Sequence, residues 1–382
     1  MTSFLPRDRE HLAATAAFFT HGAMLGSWAP RIPDIRHALG LSDGVLGLAL
    51  LGAPVGTVAG QLWAASLVRR FGSRQVTRLS LIGACLLPIL FPLAGNAAEL
   101  FVVLMFWGGF VGALDLAMNA SAVLTEDNRD RPIMVGLHGR WSIGALVGSL
   151  VAVAAAAAGV SVLVQEAVLG GVLLVGAWWL TGPLLDDLSA NPATGGIWRH
   201  LDRTLVLLAL LTAADFLSEG SVADWSAVYL RDNFGAAAAV AAAAFSVYLV
   251  AMIVTRLSGD RLTQHFGSVR VVRTLAAAAL VVITAALLVG GVAWGLVGFG
   301  MLGIGVACCA PLSFAAAARA PGTSTGQGLA VVTTAGYGAY MVAPPLIGGL
   351  ATVFSLPVAL GILPVMLVVI LYAASALRPA AR

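Results

Sequence analysis

About a dozen apolar runs of ~18–25 residues, parted by short polar breaks, constrain this chain more than any other feature, since each can cross a hydrocarbon core as a helix. Composition leaves little over for anything else. Of 382 residues, 59% are apolar and 10% charged, where a soluble domain carries roughly 25% charge. Twelve spans of ~21 residues use about 250 residues and leave only short loops. A nucleic-acid binder, a soluble enzyme on an anchor and a sizeable extramembrane domain are all excluded. The expected fold class is all-α integral membrane.

The Gly, Pro and charged breaks predict helices near 11–35, 43–68, 75–95, 97–124, 134–158 and 161–184, then near 203–232, 236–258, 270–290, 292–318, 327–352 and 356–377. All 21 basic residues are arginine; with the N-terminus inside, sixteen of them fall on the inner side. Only Arg31, Arg36 and Arg231 fall outside, while Arg140 and Arg256 sit within helices. Arginine-rich short loops resist translocation, which predicts a multi-pass protein of the cell inner membrane with both termini cytoplasmic. Arg7, Asp8, Arg9 and Glu10 precede the first apolar run without a small-residue cleavage site, so that run reads as an uncleaved helix. Cys85, Cys308 and Cys309 lie inside apolar runs and read as packing residues. There is no Walker loop, CxxC or HExxH, so the expectation is no cofactor, no metal and no enzymatic activity.

The two halves repeat. Leu67, Phe71, Gly72, Ser73, Val76 and Arg78, between the second and third runs, recur as Leu262, Phe266, Gly267, Ser268, Val271 and Arg273, every pair at an offset of 195. A shared basic composition explains the arginines but not the common register. Trp28 and Trp225 likewise end the first and seventh helices. The longest polar stretch, Asp186 to Arg203, holds Asn191-Pro192 and Gly195-Gly196 and reads as a linker. The predicted organisation is a six-helix bundle over 1–185, a cytoplasmic linker over 186–203 and a second six-helix bundle over 204–382.

Two parallel six-helix repeats are the design of major facilitator transporters, and the chain resembles that superfamily over its whole length. Gly259, Asp260, Arg261, Phe266, Gly267 and Arg270 are similar to the superfamily's inner-loop signature. The first half keeps Arg70, Gly72 and Arg74, but Arg69 stands where the family usually has an aspartate. The resemblance implies a major facilitator fold of twelve transmembrane helices in two pseudo-symmetric bundles, with these loops as its inner gate. A narrower likeness rests on the run Gly112 to Ala120, on Pro132-Ile133-Met134 with His138, on Glu219-Gly220, on Asp224 to Asp232, and on Pro344-Pro345 with Gly348-Gly349. These resemble the bacterial MosC-like branch, often grouped with fucose permease-like proteins. That likeness implies that Asp115 takes a coupling proton and that Asn119, one turn on, helps to hold a solute.

A charge at bilayer depth costs ~2.5–3.5 kcal/mol on insertion scales, so an embedded ionisable group needs a partner, a water-filled cavity or a function. Asp115 and Asn119 share one face of the fourth helix, and Asp215 and Glu219 have the same spacing on the seventh. Asp115, Glu219 and Asp215 are the candidate proton-coupling groups, although Asp215 reads equally well as an internal hydrogen-bond partner. Asp115 is expected to pair with Arg140 of the fifth helix; Glu219 has no arginine near it in sequence. Candidate solute contacts are Asn119, His138, Arg140 and Gln61, with the rings of Trp28, Trp225, Tyr337 and Tyr340, each of which packing would explain as well. His21 reads as a hydrogen-bonding histidine, and Glu166, near the end of the sixth helix, as reaching interfacial water. Gly108-Gly109-x-x-Gly112 and Gly144-x-x-x-Gly148 fit close helix approach.

These features point to proton-coupled secondary transport of a small polar, sugar-like solute by alternating access. The alternative is a proton-driven multidrug efflux antiporter. The fifth helix lacks a Gly-Pro-x-x-Gly-Gly run, yet Pro344-Pro345-Leu346-Ile347-Gly348-Gly349 offers a similar one on the eleventh. An intramembrane enzyme would have only His21, His138 and the carboxylates for its chemistry. The expected partners are a small-molecule solute, protons and the lipid bilayer, with no nucleic acid, for a monomer.

Overall fold

The computed structural model describes residues 6–129, 133–186, 202–317 and 325–378; the side chains of some helical residues, Arg69 and Asp260 among them, lie outside the described set. The chain divides into two compact units, Met1–Pro192 and Ala193–Arg382. In the first, α1 (Pro6–Trp28) passes through a 3-10 turn into α2 (Ile32–Leu39). The second span is α3 (Asp43–Leu50) with α4 (Gly52–Phe71), and the third is α5 (Ser73–Leu86) ending in a 3-10 segment, Leu87–Leu93. Then come α6 (Ala97–Arg129), α7 (Met134–Ala157) and α8 (Val162–Leu180). The second unit holds α9 (Arg203–Phe234), α10 (Ala238–Phe266), α11 (Ser268–Val289), a tenth span split into α12 (Val292–Val306) and α13 (Cys309–Ala317), and α14 (Thr325–Val353). Its last span is α15 (Leu356–Ala359) with α16 (Ile362–Ala373). Among the described residues ten spans are long and apolar enough to cross a membrane; α1 and α14, which carry more Thr and other polar groups, are not among the ten.

Proline accounts for two departures from regular helix. Pro88 and Pro92 lack the N–H that an α-helix needs, and the third span tightens to 3-10 geometry there. The tenth span, expected as one helix over 292–318, is broken. Pro311 cannot donate to the carbonyl of Ala307, four residues back, and the helix parts between Val306 and Cys309.

The repeat is visible in the packing. Within the first unit α1 packs on α7, α4 on α6, α5 on α6 and α5 on α8; within the second, the equivalents α9 on α14, α10 on α12, α11 on α12 and α11 on α16 do the same. Glycine sets how close the first-unit pairs come. A Cβ on Gly22 or Gly26 of α1 would collide with the carbonyls of Trp141 or Ala145 on α7, and one on Gly144 or Gly148 with those of Phe19 or Ala23. In the same way Gly56 and Gly60 of α4 meet the backbone of Met105 and Gly109 on α6, and Gly108 and Gly112 of α6 that of Ala53 and Thr57. In the second unit, a Cβ on Gly220 or Gly336 would meet side chains instead, Tyr340 and Ala343 or Phe216 and Thr212.

The 195-residue register carries geometry as well as sequence. Gly72 and Gly267 both precede their helices at positive φ, 83° and 81°, a conformation that favours glycine. Arg78 donates to the Trp178 carbonyl at 3.4 Å, in the last turn of α8, and its repeat mate Arg273 donates to the Leu371 carbonyl at 3.0 Å, in the last turn of α16. Each arginine thus satisfies a C-terminal carbonyl that its own helix leaves open. The three cysteines are free and buried.

Candidate functional site

In the second unit the chemistry gathers at the broken span. The break leaves an acceptor and a donor without helical partners, and each is taken by a charged side chain from another helix. Arg256 of α10 donates through Nε to the Ala307 carbonyl at 3.0 Å. Asp215 of α9 accepts the Ala310 N–H on Oδ2 at 2.9 Å. Glu219 lies one turn along α9 from Asp215, half-buried, with no hydrogen bond among the described residues. Arg256 interacts electrostatically with both carboxylates. Glu219 has no arginine near it in sequence, and the guanidinium whose field reaches it comes from another helix, 37 residues on. Two carboxylates face one guanidinium in an apolar bundle, leaving one negative charge unbalanced. Fully buried Asp215 keeps its second oxygen, Oδ1, without a partner, as does the Tyr248 hydroxyl beside it.

In the first unit Asp115 of α6 is the centre. It accepts from Gln61 Nε2 of α4 at 3.1 Å and from Asn119 Nδ2 at 3.1 Å, and Asn119 also donates to the Asp115 carbonyl at 2.8 Å. Asp115, Asn119 and Gln61 are therefore brought together. The expected Asp115–Arg140 ion pair is not formed among the described residues. Arg140 is half-buried, and its Nη1 lies back along α7 beside Gly136. Two amide donors replace one cation at the carboxylate, which a carboxylate accepts readily because it offers about four lone-pair directions. His21 sits within electrostatic reach of Asp115 and of His138, and accepts the Trp141 indole N–H on Nδ1 at 2.6 Å. That bond leaves Nε2 to carry the proton of a neutral ring. His138 is exposed on α7, edge-on to Phe18 at 5.2 Å. Trp141, one helical turn after His138, completes this cluster.

The ring candidates fall into two sets. Trp28 is 5% exposed and packs edge-on against Phe91, which in turn packs on Trp107; Trp225 is fully buried. Both serve the packing of their units. Tyr337 is 39% exposed and edge-on to Phe216, and Tyr340 reaches Glu219 and Asp224 electrostatically. At the loop before α5, Asp186 supplies the carboxylate that Arg69 does not. It accepts the Arg74 backbone N–H at 3.0 Å and pairs with the Arg74 guanidinium at 2.9 Å, and a Cβ on Gly72 would strike it. Arg70 lies over the Phe71 ring, and Arg261, Gly267 and Arg270 are exposed in the equivalent loop.

Glu166 was expected at interfacial water and is instead fully buried, bonded to Ser27 and Gln165. Among the described residues no group of His, Cys, Asp and Glu has the arrangement of a metal site.

Residues 14–219 match the Major Facilitator Superfamily. The membrane protein MosC of Rhizobium meliloti is 31% identical over 89% of this chain and 83% of its own length. An MFS-type transporter of Yersinia pestis, itself uncharacterised, is 30% identical over 97% of this chain and 96% of its own. Among solved structures the nucleoside transporter NupG shares the fold, with a TM-score of 0.72 at 12% identity over 96% of this chain and 98% of its own.

Proposed function

The chain belongs to the Major Facilitator Superfamily, and we propose that within it this transporter couples the movement of a proton to that of a small polar, sugar-like solute. The observation that carries the reading is the charge count at the broken span: Asp215 and Glu219 with a single Arg256. One bound proton makes that group neutral, and neutral groups cross or reorganise in a low-dielectric interior far more cheaply than charged ones. Asp215 is tied to the Ala310 N–H through Oδ2, whereas Glu219 makes no hydrogen bond among the described residues, so the mobile proton is assigned to Glu219 and the joint to Asp215. Gln61, Asp115 and Asn119 supply the fixed donors and acceptors that a polyhydroxyl solute requires. NupG, a nucleoside transporter by name, is a fold relative whose solute is also polar. The protein sits in the cell inner membrane with both termini cytoplasmic, and residues 1–185 and 204–382 alternate access about the 186–203 linker.

A thermal-shift screen of sugars, polyols and drugs supplies the solute, since a ligand of the folded state raises apparent stability. Proteoliposome uptake under an imposed pH gradient, beside counterflow without one, then tests the coupling. Glu219→Gln should abolish gradient-driven accumulation and keep counterflow, whereas Asp115→Asn should weaken binding as well. Full gradient-driven accumulation by Glu219→Gln removes it as the coupling group. A screen that returns only amphipathic drugs removes the sugar-like solute.

A further inference from the structure

We infer that Glu166 of α8 is a second proton-binding site, a neutral carboxylic acid that latches the start of α8 to the end of α1 within the first unit. It takes no part in the coupling proposed above. The inference comes from counting hydrogens. Ser27 Oγ lies 3.1 Å from the Met24 carbonyl and 3.3 Å from Glu166 Oε2, but a hydroxyl carries one hydrogen. With that hydrogen on Met24, the shorter contact, Ser27 offers Glu166 only lone pairs. The contact then closes only if Glu166 brings the proton itself.

The neighbouring donors are already used. Gln165 Nε2 gives its two hydrogens to the Ser27 carbonyl at 3.2 Å and to Glu166 Oε1 at 2.9 Å. Its Oε1 accepts from Arg31 Nη1 at 2.7 Å. The other two Arg31 nitrogens, Nε and Nη2, donate to Asp34 at 2.6 Å and to the Val160 carbonyl at 2.9 Å, and none of the three bonds to Glu166. Every polar atom in the chain Arg31–Gln165–Glu166–Ser27–Met24 thus has a partner when Glu166 is protonated.

The charge count agrees. Arg31 is the cation nearest Glu166, and it is balanced by Asp34 in a direct ion pair. An ionised Glu166 would add an unbalanced negative charge at a residue with no exposed surface, which apolar surroundings penalise heavily. The groups facing it are Ser27 from α1, Arg31 from the turn after α1 with Asp34 of α2 behind it, and Gln165 from α8 itself. Of the other elements packed on α8, α5 brings Cys85 near Gly170, and the Leu87–Leu93 segment is apolar. No second cation is present among these described groups.

Infrared difference spectroscopy on the purified full-length protein at neutral pH reads the protonated carboxyl directly, through a C=O stretch well separated from that of carboxylate. Wild type minus Glu166→Gln should show one such band, and Glu219→Gln minus Glu166→Gln should show the same band, because Glu219→Gln keeps it. Ser27→Ala, which removes the acceptor of the Glu166 proton, should shift the same band and so serves if Glu166→Gln does not fold. An unchanged spectrum in Glu166→Gln, or an unshifted band in Ser27→Ala, overturns the assignment. Loss of coupled transport in Glu219→Gln bears on the coupling proposal alone and leaves this band untouched.

Discussion

The joint between α12 and α13 yields the sharpest energetic test. Arg256→Leu strips the donor from the Ala307 carbonyl and leaves Asp215 and Glu219 without their cation. A buried backbone acceptor left unsatisfied costs about 1–3 kcal/mol, and the two carboxylates also lose an electrostatic attraction that acts beyond direct ion-pair distance. Asp215→Ala does the converse, orphaning the Ala310 N–H and leaving Arg256 facing Glu219 alone, at similar cost. The double variant loses both charges together, so its destabilisation should fall short of the summed single losses by about 1–3 kcal/mol. Pro311→Ala separates the backbone part from the charge part. It returns the missing N–H to the ladder, so Ala307 has a helical donor again, and Arg256→Leu should cost less in that background by about 1 kcal/mol. Denaturant titration in mild detergent, followed by circular dichroism, measures all five variants. Single losses that add to within about 0.5 kcal/mol, or an Arg256→Leu penalty unchanged by Pro311→Ala, would refute the account of the joint.

Gly26→Ala should destabilise by about 2 kcal/mol through overpacking, since its Cβ meets the Ala145 backbone, whereas Gly336→Ala meets the movable Phe216 and Thr212 side chains and should cost less than half as much in the same titration. Asp186→Asn should cost under about 1 kcal/mol, because the Arg74 pair it breaks is 48% exposed on one side and 35% on the other; a loss of several kcal/mol would mean the pair holds more than the start of α5. Gln61→Leu should weaken solute binding more than it weakens the fold, since the Asp115 carboxylate keeps Asn119 as a donor; unchanged binding in a thermal-shift titration removes Gln61 from the solute site.

What the sequence made legible and what it hid divide along a physical line. Run lengths and arginine placement depend on each segment alone, so the spans and the repeat could be read directly. Which side chains meet across helices depends on the rotation and depth of each helix, and a run of Leu, Ala and Val fixes neither. Hence the cost of an unpaired embedded arginine points to an Asp115–Arg140 pair between neighbouring helices, while in the structure Gln61 holds that carboxylate and Arg140 lies along its own helix. Arg256 was legible by another route. A proline inside a span must leave the carbonyl four residues back for another donor, and Pro311 marks Ala307 as that carbonyl. The repeat then names the donor. Gln61 and Arg256 stand at the same offset of 195 as the loop residues, and so do Asp115 and Ala310. In each unit the second helix of the repeat sends one polar side chain across to the middle of the fourth, to a carboxylate in the first and to an opened backbone in the second. Duplication preserved the position of the bridge while its chemistry diverged. A neutral amide bridges to a carboxylate without adding charge, and a guanidinium supplies both the donor that the broken helix lacks and a positive charge between two acids.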